Sequence, residues 1–270
     1  MKKFLTKKSA LIGMPLGCLM IFIIYLFADL FYVSNFRTMQ DHLSLSEQVD
    51  LTGLRELHAS GGAPLCFSDL QHKLQHVKEP KYIVDGMAEF HGYIKGIPTT
   101  FFGYQRRGPN FRHLMRRWIL TGTTEINPAL ITSEETEAKN YGFDYKKVNI
   151  GSTFIPADEN IDEIVTFFDT TPQKAWLHFH CAQGKGRTSM LLVMLDIMKN
   201  APQVAFEDII KRQHLLGSED LLNTVVWKKG TYTKQQLEER KEFIKKFYEF
   251  VVQRKADGIQ RWSDWNQRKK

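Results

Sequence analysis

Cysteine is scarce, with three in 270 residues. Cys18 lies in an N-terminal apolar run, Cys66 stands alone and Cys181 opens a glycine-containing stretch. No disulfide framework can therefore organise the fold, and a thiol needed as a nucleophile is left unpaired. Metal-ligand pairs are equally thin. His178, His180 and Cys181 are close in sequence, yet no second pair follows at zinc spacing, and strand alternation puts Cys181 on the opposite face from both histidines. No metal site and no cofactor are expected. An acidic excess is also absent: 37 Lys and Arg against 30 Asp and Glu give a net charge of +7, which points to an anionic partner. Nucleic acid is not the expected one, because no nucleic-acid-binding motif appears. There is no internal repeat. At 43% hydrophobic, the chain can bury one sizeable core with at most a small appendage.

What is present begins with Lys2, Lys3, Lys7 and Lys8, followed by Leu11–Ala28 without a charge. Residues 1–33 read as a secretory signal or an uncleaved membrane anchor. The run is long for a signal core, and Leu26-Phe27-Ala28 is a poor cleavage site, which favours the anchor. Lysines ahead of the run would keep the N-terminus in the cytoplasm and carry the rest across the membrane. The expectation is thus a single-pass or exported protein that meets the membrane through this segment.

Residues 34–60 read as a linker and entry segment, 61–255 as the folded domain and 256–270 as a polar tail. Gly61-Gly62-Ala63-Pro64 is predicted as a turn. Lys81–Asp85 reads as a buried strand ending in a carboxylate, and the following Gly86–Gly92 holds Glu89 and His91. Tyr104–Trp118 carries Arg106, Arg107, Arg112, Arg116 and Arg117, either an anion-binding rim or a solvated helix face. A short strand is predicted at Lys147–Ile150. Ile161, Ile164, Val165 and Phe168 share one helix face. A second amphipathic helix, Lys234–Gln253, collects Leu237, Phe243, Ile244, Phe247, Phe250 and Val251. Strands alternating with helices give an α/β domain with a largely parallel sheet, in which ligands bind beyond the carboxyl ends of the strands.

The chain is organised around Trp176–Ser189, WLHFHCAQGKGRTS. An apolar strand from Ala175 to Phe179 turns through Gly184 and Gly186 into an apolar helix. Strand, glycine loop and helix together aim backbone N–H groups and a positive helix end at an anion. A cysteine at the head of such a loop has its pKa lowered, to about 3.5–7.5. Arg187, six positions on, has a planar fork suited to two phosphoryl oxygens. A Walker loop is excluded, because Gly186 rather than Ser or Thr follows Lys185.

With His180 before the cysteine and Thr188 after the arginine, the stretch resembles the active-site loop of the protein tyrosine phosphatase superfamily. Further matches extend from about residue 35 to 217, among them Asn35-Phe36-Arg37, Gly53–Gly61, Tyr82–Asp85, His91–Pro98, Met194–Asn200 and Asp208–Gln213. Within the superfamily they resemble the bacterial cysteine phytases, the protein-tyrosine-phosphatase-like inositol hexakisphosphate phosphatases. That resemblance implies a phosphatase core with a largely parallel sheet flanked by helices, a small β-rich subdomain and a basic pocket. It implies a hydrolase in which Cys181 attacks phosphorus to form a phosphocysteine. Arg187 and the loop Ala182, Gln183, Gly184, Lys185 and Gly186 would hold the phosphoryl oxygens. Thr188 would stabilise the departing thiolate. Arg37 and Asp85 would contact a small polyanionic phosphorylated substrate, with His180 and Gln213 in support. Lys185 is a second cation in the loop and suits a substrate with several phosphates.

One departure is conspicuous. The family places a Thr-Asp-His trio before a proline, its Asp protonating the leaving group; aligned on Tyr145 and Pro156, this chain has Gly151-Ser152-Thr153. Ser152 cannot serve as a general acid at neutral pH, so Asp158 or Glu159 is the nearest substitute. The expected substrate is inositol hexakisphosphate. A phosphotyrosine, dual-specificity or phosphoinositide phosphatase is the second enzyme class the loop allows, and a phosphate-binding pseudophosphatase is a third outcome.

Overall fold

The computed structural model describes residues 7–30, 34–43, 48–64, 66–104, 108, 110–151, 155–228 and 232–269, with side chains from Pro15 onward. Ser152 and Thr153, and Arg106 and Arg107 of the basic stretch, lie outside the described residues.

A five-stranded sheet runs in the order β1 (Arg37–Thr38), β2 (Ala59–Gly62), β7 (Trp176–His180), β3 (Lys81–Asp85) and β6 (Asp144–Lys147). Every pairing is parallel except β1 with β2. Central β7 is buried along its whole length, as an apolar strand covered on both faces must be. Its register puts His180 beside Asp85 on one side and Gly62 on the other. The small β element is a hairpin, β4 (Tyr93–Ile94) with β5 (Ile97–Pro98), widened by a bridge from Tyr93 to Thr132. The last strand falls at Asp144–Lys147 rather than Lys147–Ile150.

Gly61 and Gly62 are strand residues of β2, not a turn. A side chain at Gly61 would stand 2.7 Å from Thr188 Cγ2. The glycine pair therefore marks a close approach between β2 and the loop after β7, a signal that resembles a turn in sequence alone.

Helix α6 (Gly186–Asn200) is buried over nearly its full length behind the sheet. α5 (Asp158–Thr170) and α8 (Lys234–Asp257) cover the same core through the apolar faces their sequences predict. The C-terminal stretch is no polar tail: α9 (Trp262–Lys269) buries Trp262 and Trp265 against Phe243, Phe247 and Phe250. Both indole N–H groups find acceptors, Asp158 Oδ1 at 2.7 Å and Gln253 Oε1 at 2.6 Å. A buried tryptophan needs such a partner.

The expected membrane anchor is overturned. Among the described residues no helix is long and apolar enough to cross a membrane. Helix α1 (Lys7–Phe27) contains Pro15, and its last turn is spent on the folded domain. There Leu26 is buried and Phe27 stacks on Phe101. The helix end is held by α3 (Phe111–Thr121), where Arg116 donates from Nε to Leu26 O at 2.6 Å and from Nη2 to Asp29 Oδ2 at 2.8 Å. Arg117 donates to Phe102 O and Gly103 O. Two of the arginines read as an anion rim are thus buried caps for backbone carbonyls.

Candidate active site

Where β7 ends and α6 begins, residues 181–186 form a loop over the carboxyl edge of the sheet. Gly184 adopts a φ of +67°, and a Cβ there would lie 2.1 Å from the carbonyl carbon of Gly62. Only glycine satisfies both constraints. Arg37 fixes the same point from below. It is buried, and donates from Nη1 to Gly184 O at 2.8 Å, from Nη2 to Ser189 Oγ at 3.1 Å and from Nε to Ser218 Oγ at 3.1 Å. Burial lowers its pKa to about 10, so it stays charged at neutral pH. Arg37 is expected on the substrate; the structure places it under the loop, with its donors spent on protein.

Cys181 is buried at the head of the loop. Burial by itself would raise its thiol pKa, but the Thr188 hydroxyl, the Gln183 amide and the Arg187 guanidinium outweigh that and pull it below the ordinary value. Arg187, in the first turn of α6, is oriented by Glu89, with Nη1 to Oε2 at 2.8 Å and Nη2 to Oε1 at 3.0 Å. A third bond reaches Gly86 O at 3.2 Å. Glu89 is 41% exposed. Its partial burial favours the neutral acid, yet Arg187 keeps its pKa below the usual carboxylate range. Asn35 donates to Gln183 O at 2.8 Å, tying the entry segment to the loop. Lys185 is exposed at the start of α6, and Gly186 faces the Tyr232 hydroxyl. The loop, thiol and Arg187 together form a pocket for a tetrahedral anion at a helix N-terminus.

Behind the thiol lies a polar layer. Asp85, Glu134, His91 and His180 converge from β3, the start of α4 (Glu134–Asn140), the segment before β4, and β7. His91 Nε2 is 2.7 Å from Glu134 Oε2 and 3.1 Å from Asp85 Oδ2. Burial alone would lower the His91 pKa; the two carboxylates raise it to about 10. Asp85 is fully buried, accepting from Tyr145 Oη at 2.7 Å and Met87 N at 2.7 Å. The expectation that Asp85 contacts substrate thus gives way to a place in this layer. His178, two residues before His180 on the same face of β7, is different. Ser60 Oγ accepts from Trp176 Nε1 at 2.9 Å and pairs with His178 Nδ1 at 2.9 Å. Burial and the neighbouring His180 lower the His178 pKa to about 3, and the ring is neutral.

Gln213, expected in support, belongs to a brace under α6. Its Nε2 donates to Asp196 Oδ2 at 2.8 Å, and Arg212 pairs with the same carboxylate while donating from Nη1 to Asp50 O and Thr52 O. Asp158, considered as a substitute acid, accepts from Trp262 and Asn266 and is engaged by α9. No role is expected from the sequence for Glu89, His91 or Glu134. Glu89 and His91 stand out between two glycines, whereas Glu134 lies in an ordinary helical stretch.

A mostly parallel sheet with a cysteine-arginine loop at its carboxyl edge defines a protein-tyrosine-phosphatase-like fold. Solved structures agree at the level of the whole domain. A tandemly repeated protein tyrosine phosphatase-like phytase from Mitsuokella multacida superposes with a TM-score of 0.68 at 28% identity, covering 87% of this chain and 46% of that one. The Mitsuokella multacida protein tyrosine phosphatase-like myo-inositol phosphatase in complex with myo-inositol-(1,3,4,5)-tetrakisphosphate gives 0.70 at 27% identity, covering 87% and 45%. A protein tyrosine phosphatase-like phytase from Bdellovibrio bacteriovorus gives 0.62 at 26%, covering 86% and 89%. The chain thus spans about half of each Mitsuokella chain and most of the Bdellovibrio one. Residues 123–199 match the PTP-like phytase family, inositol hexakisphosphate. The uncharacterized protein AvrBs1.1 of Xanthomonas campestris is 40% identical over 91 residues, 33% of this chain and 86% of that protein. The chain belongs to the PTP-like phytase family of the protein tyrosine phosphatase superfamily, whose members hydrolyse phosphate esters.

Proposed function

We propose that the protein is a cysteine-dependent phosphomonoester hydrolase whose substrate is an inositol polyphosphate, inositol hexakisphosphate foremost. The single observation that carries this is the placing of Cys181, its pKa lowered, opposite an Arg187 fork already oriented by Glu89. The Mitsuokella structure with a bound inositol tetrakisphosphate supports the substrate class. So does the exposed Lys185 at the loop, a cation beyond the one that a single phosphate requires.

The thiolate of Cys181 attacks phosphorus, forming the S–P bond as the P–O bond to the inositol carbon's oxygen breaks. Arg187 and the loop amides bind the equatorial oxygens and stabilise the charge that accumulates on them. The departing alkoxide takes a proton from solvent water. Water then attacks the phosphocysteine, the S–P bond breaks and orthophosphate leaves with the thiolate restored. Thr188, beside the sulfur, stabilises that thiolate. Ser152 stands at the family's acid position and cannot supply the proton, so departure of the alkoxide limits the rate. General acids contribute about 10²–10⁴ in rate. Glu89 does not replace the acid, because Arg187 holds it ionised.

The test is phosphate release from inositol hexakisphosphate by the full chain, beside Cys181→Ser and Ser152→Asp, with a phosphotyrosine peptide and a phosphoinositide as competing substrates. Release that Cys181→Ser abolishes and Ser152→Asp raises supports the proposal. Faster hydrolysis of the peptide or lipid reassigns the substrate. Tight binding of inositol hexakisphosphate without any release makes the protein a binder of polyanions and overturns the proposal.

A further inference from the structure

The layer behind the nucleophile holds two carboxylates and two imidazoles, all buried and drawn from four segments of the chain. One ligand atom from each of Asp85, Glu134 and His180 falls within 4.8 Å of the others. His180 Nε2 lies 3.2 Å from Glu134 Oε1 and 3.7 Å from Asp85 Oδ1. It makes an aligned hydrogen bond with neither, and both ring nitrogens of this buried histidine are without a hydrogen-bond partner among the described residues. We propose that Asp85, Glu134 and His180 form a binding site for a divalent ion of the zinc class, with His91 bridging the two carboxylates beside it.

Charge and hydrogen-bond accounting both favour this. Charged His91, with Nε2 between the two carboxylates, balances one of their two negative charges; the other is left to a proton on His180 or to a bound cation. Protonating His180 would create two buried N–H donors with no aligned acceptor, and each orphaned buried donor costs on the order of 1–3 kcal/mol. A metal on Nε2 leaves only one. Imidazole with two carboxylates is a borderline donor set, suited to zinc and its transition-metal neighbours rather than to calcium or magnesium. The two carboxylate ligands also have the outer partners that metal sites use to fix orientation. Tyr145 Oη and Met87 N hold the oxygens of Asp85 at 2.7 Å each. Tyr93 Oη donates to Glu134 Oε1 at 3.2 Å. His91 Nδ1 is 2.7 Å from Glu89 O, and the N–H donated there turns the Nε2–H of the charged ring onto the carboxylates. The ion would pin the ends of β3 and β7 to α4, one residue from Cys181. Through His91 the layer also reaches Glu89, the group that orients Arg187. The site stands independently of the substrate proposal.

The experiment uses the full chain purified free of metal. Co²⁺ and Zn²⁺ are titrated against a chromophoric chelator, with metal content measured by mass spectrometry and melting followed at each ratio. Expected are one equivalent of tightly held metal, visible Co²⁺ bands of nitrogen and oxygen ligation, and a melting temperature that rises until one equivalent is reached. Cys181→Ser should keep all three, and Glu134→Gln should lose them. Three results overturn the site: no stoichiometric uptake by the wild type, a sulfur-to-cobalt charge-transfer band that Cys181→Ser removes, or unchanged affinity in folded Glu134→Gln. If Glu134→Gln fails to fold, the wild-type and Cys181→Ser spectra decide the question.

Discussion

Arg187 is gripped by both oxygens of Glu89 before any substrate arrives, at 2.8 and 3.0 Å. Glu89 stands on the segment after β3, so the fork of α6 is aimed by a group from a different part of the sheet edge. Without it the guanidinium keeps its charge but loses its orientation, and misplacement by an ångström can cost about 10²-fold in rate. Glu89→Ala is therefore expected to lower kcat by about 10- to 100-fold, with a smaller change in KM, in steady-state phosphate release. A variant with unchanged kcat would show that substrate alone orients Arg187.

Arg37 makes the opposite prediction from a substrate contact. Its three donor nitrogens serve Gly184 O, Ser189 Oγ and Ser218 Oγ, and also Asn35 O at 2.9 Å. Hydrogen bonds from charged groups are worth about 1.5–3 kcal/mol each, and lysine cannot reproduce the fork. Arg37→Lys should lose about 2–4 kcal/mol of stability in urea unfolding, by the same bond energies. Activity should fall through kcat. A rise in KM at unchanged stability would return Arg37 to the substrate.

Thiol reactivity separates two of the cysteines by pH. Burial, with Asp69 and Glu137 nearby, raises the Cys66 pKa to about 11, whereas that of Cys181 is lowered. Because the thiolate is the reactive form, Cys66 gains reactivity only as pH climbs toward 11, and Cys181 is reactive well below that. Iodoacetamide at pH 7, read by peptide mass spectrometry, should modify Cys181 in step with loss of activity while leaving Cys66 intact. Orthophosphate should protect Cys181.

The C-terminal helix is part of the core. Trp262 packs on Phe243, Phe247 and Phe250 and donates to Asp158. Truncating a buried tryptophan costs about 3–5 kcal/mol. Trp262→Ala should show that loss in denaturant midpoint, and removal of residues 256–270 should do at least as much. A tail that merely hung in solvent would leave both unchanged.

The nucleophile, the glycine loop and the paired arginine could be read directly from the chain, because they are contiguous. Fourteen residues from Trp176 to Ser189 contain strand, turn and helix start, and local geometry alone brings Cys181, Arg187 and Thr188 to one anion. The amphipathic faces of α5 and α8 were legible for the same reason, since periodicity is a local property. Tertiary structure decided what depends on distant partners. Gly61-Gly62 looked like a turn until β2 was placed against the loop, where Gly61 has no room for a side chain. The arginines of α3 looked like a surface for anions until Leu26, Phe101 and Phe102 presented their carbonyls. Asp158 and Trp262 acquired roles only from each other, across about a hundred residues. Glu134 carries no mark of function in its own neighbourhood, and Glu89 and His91 show only that they lie between two glycines. Their charge states and orientations follow from burial beside groups that the sheet order, not the sequence order, makes neighbours. A sequence specifies the chemistry a segment can perform by itself, while the field in which it performs is set by contacts closed over long loops.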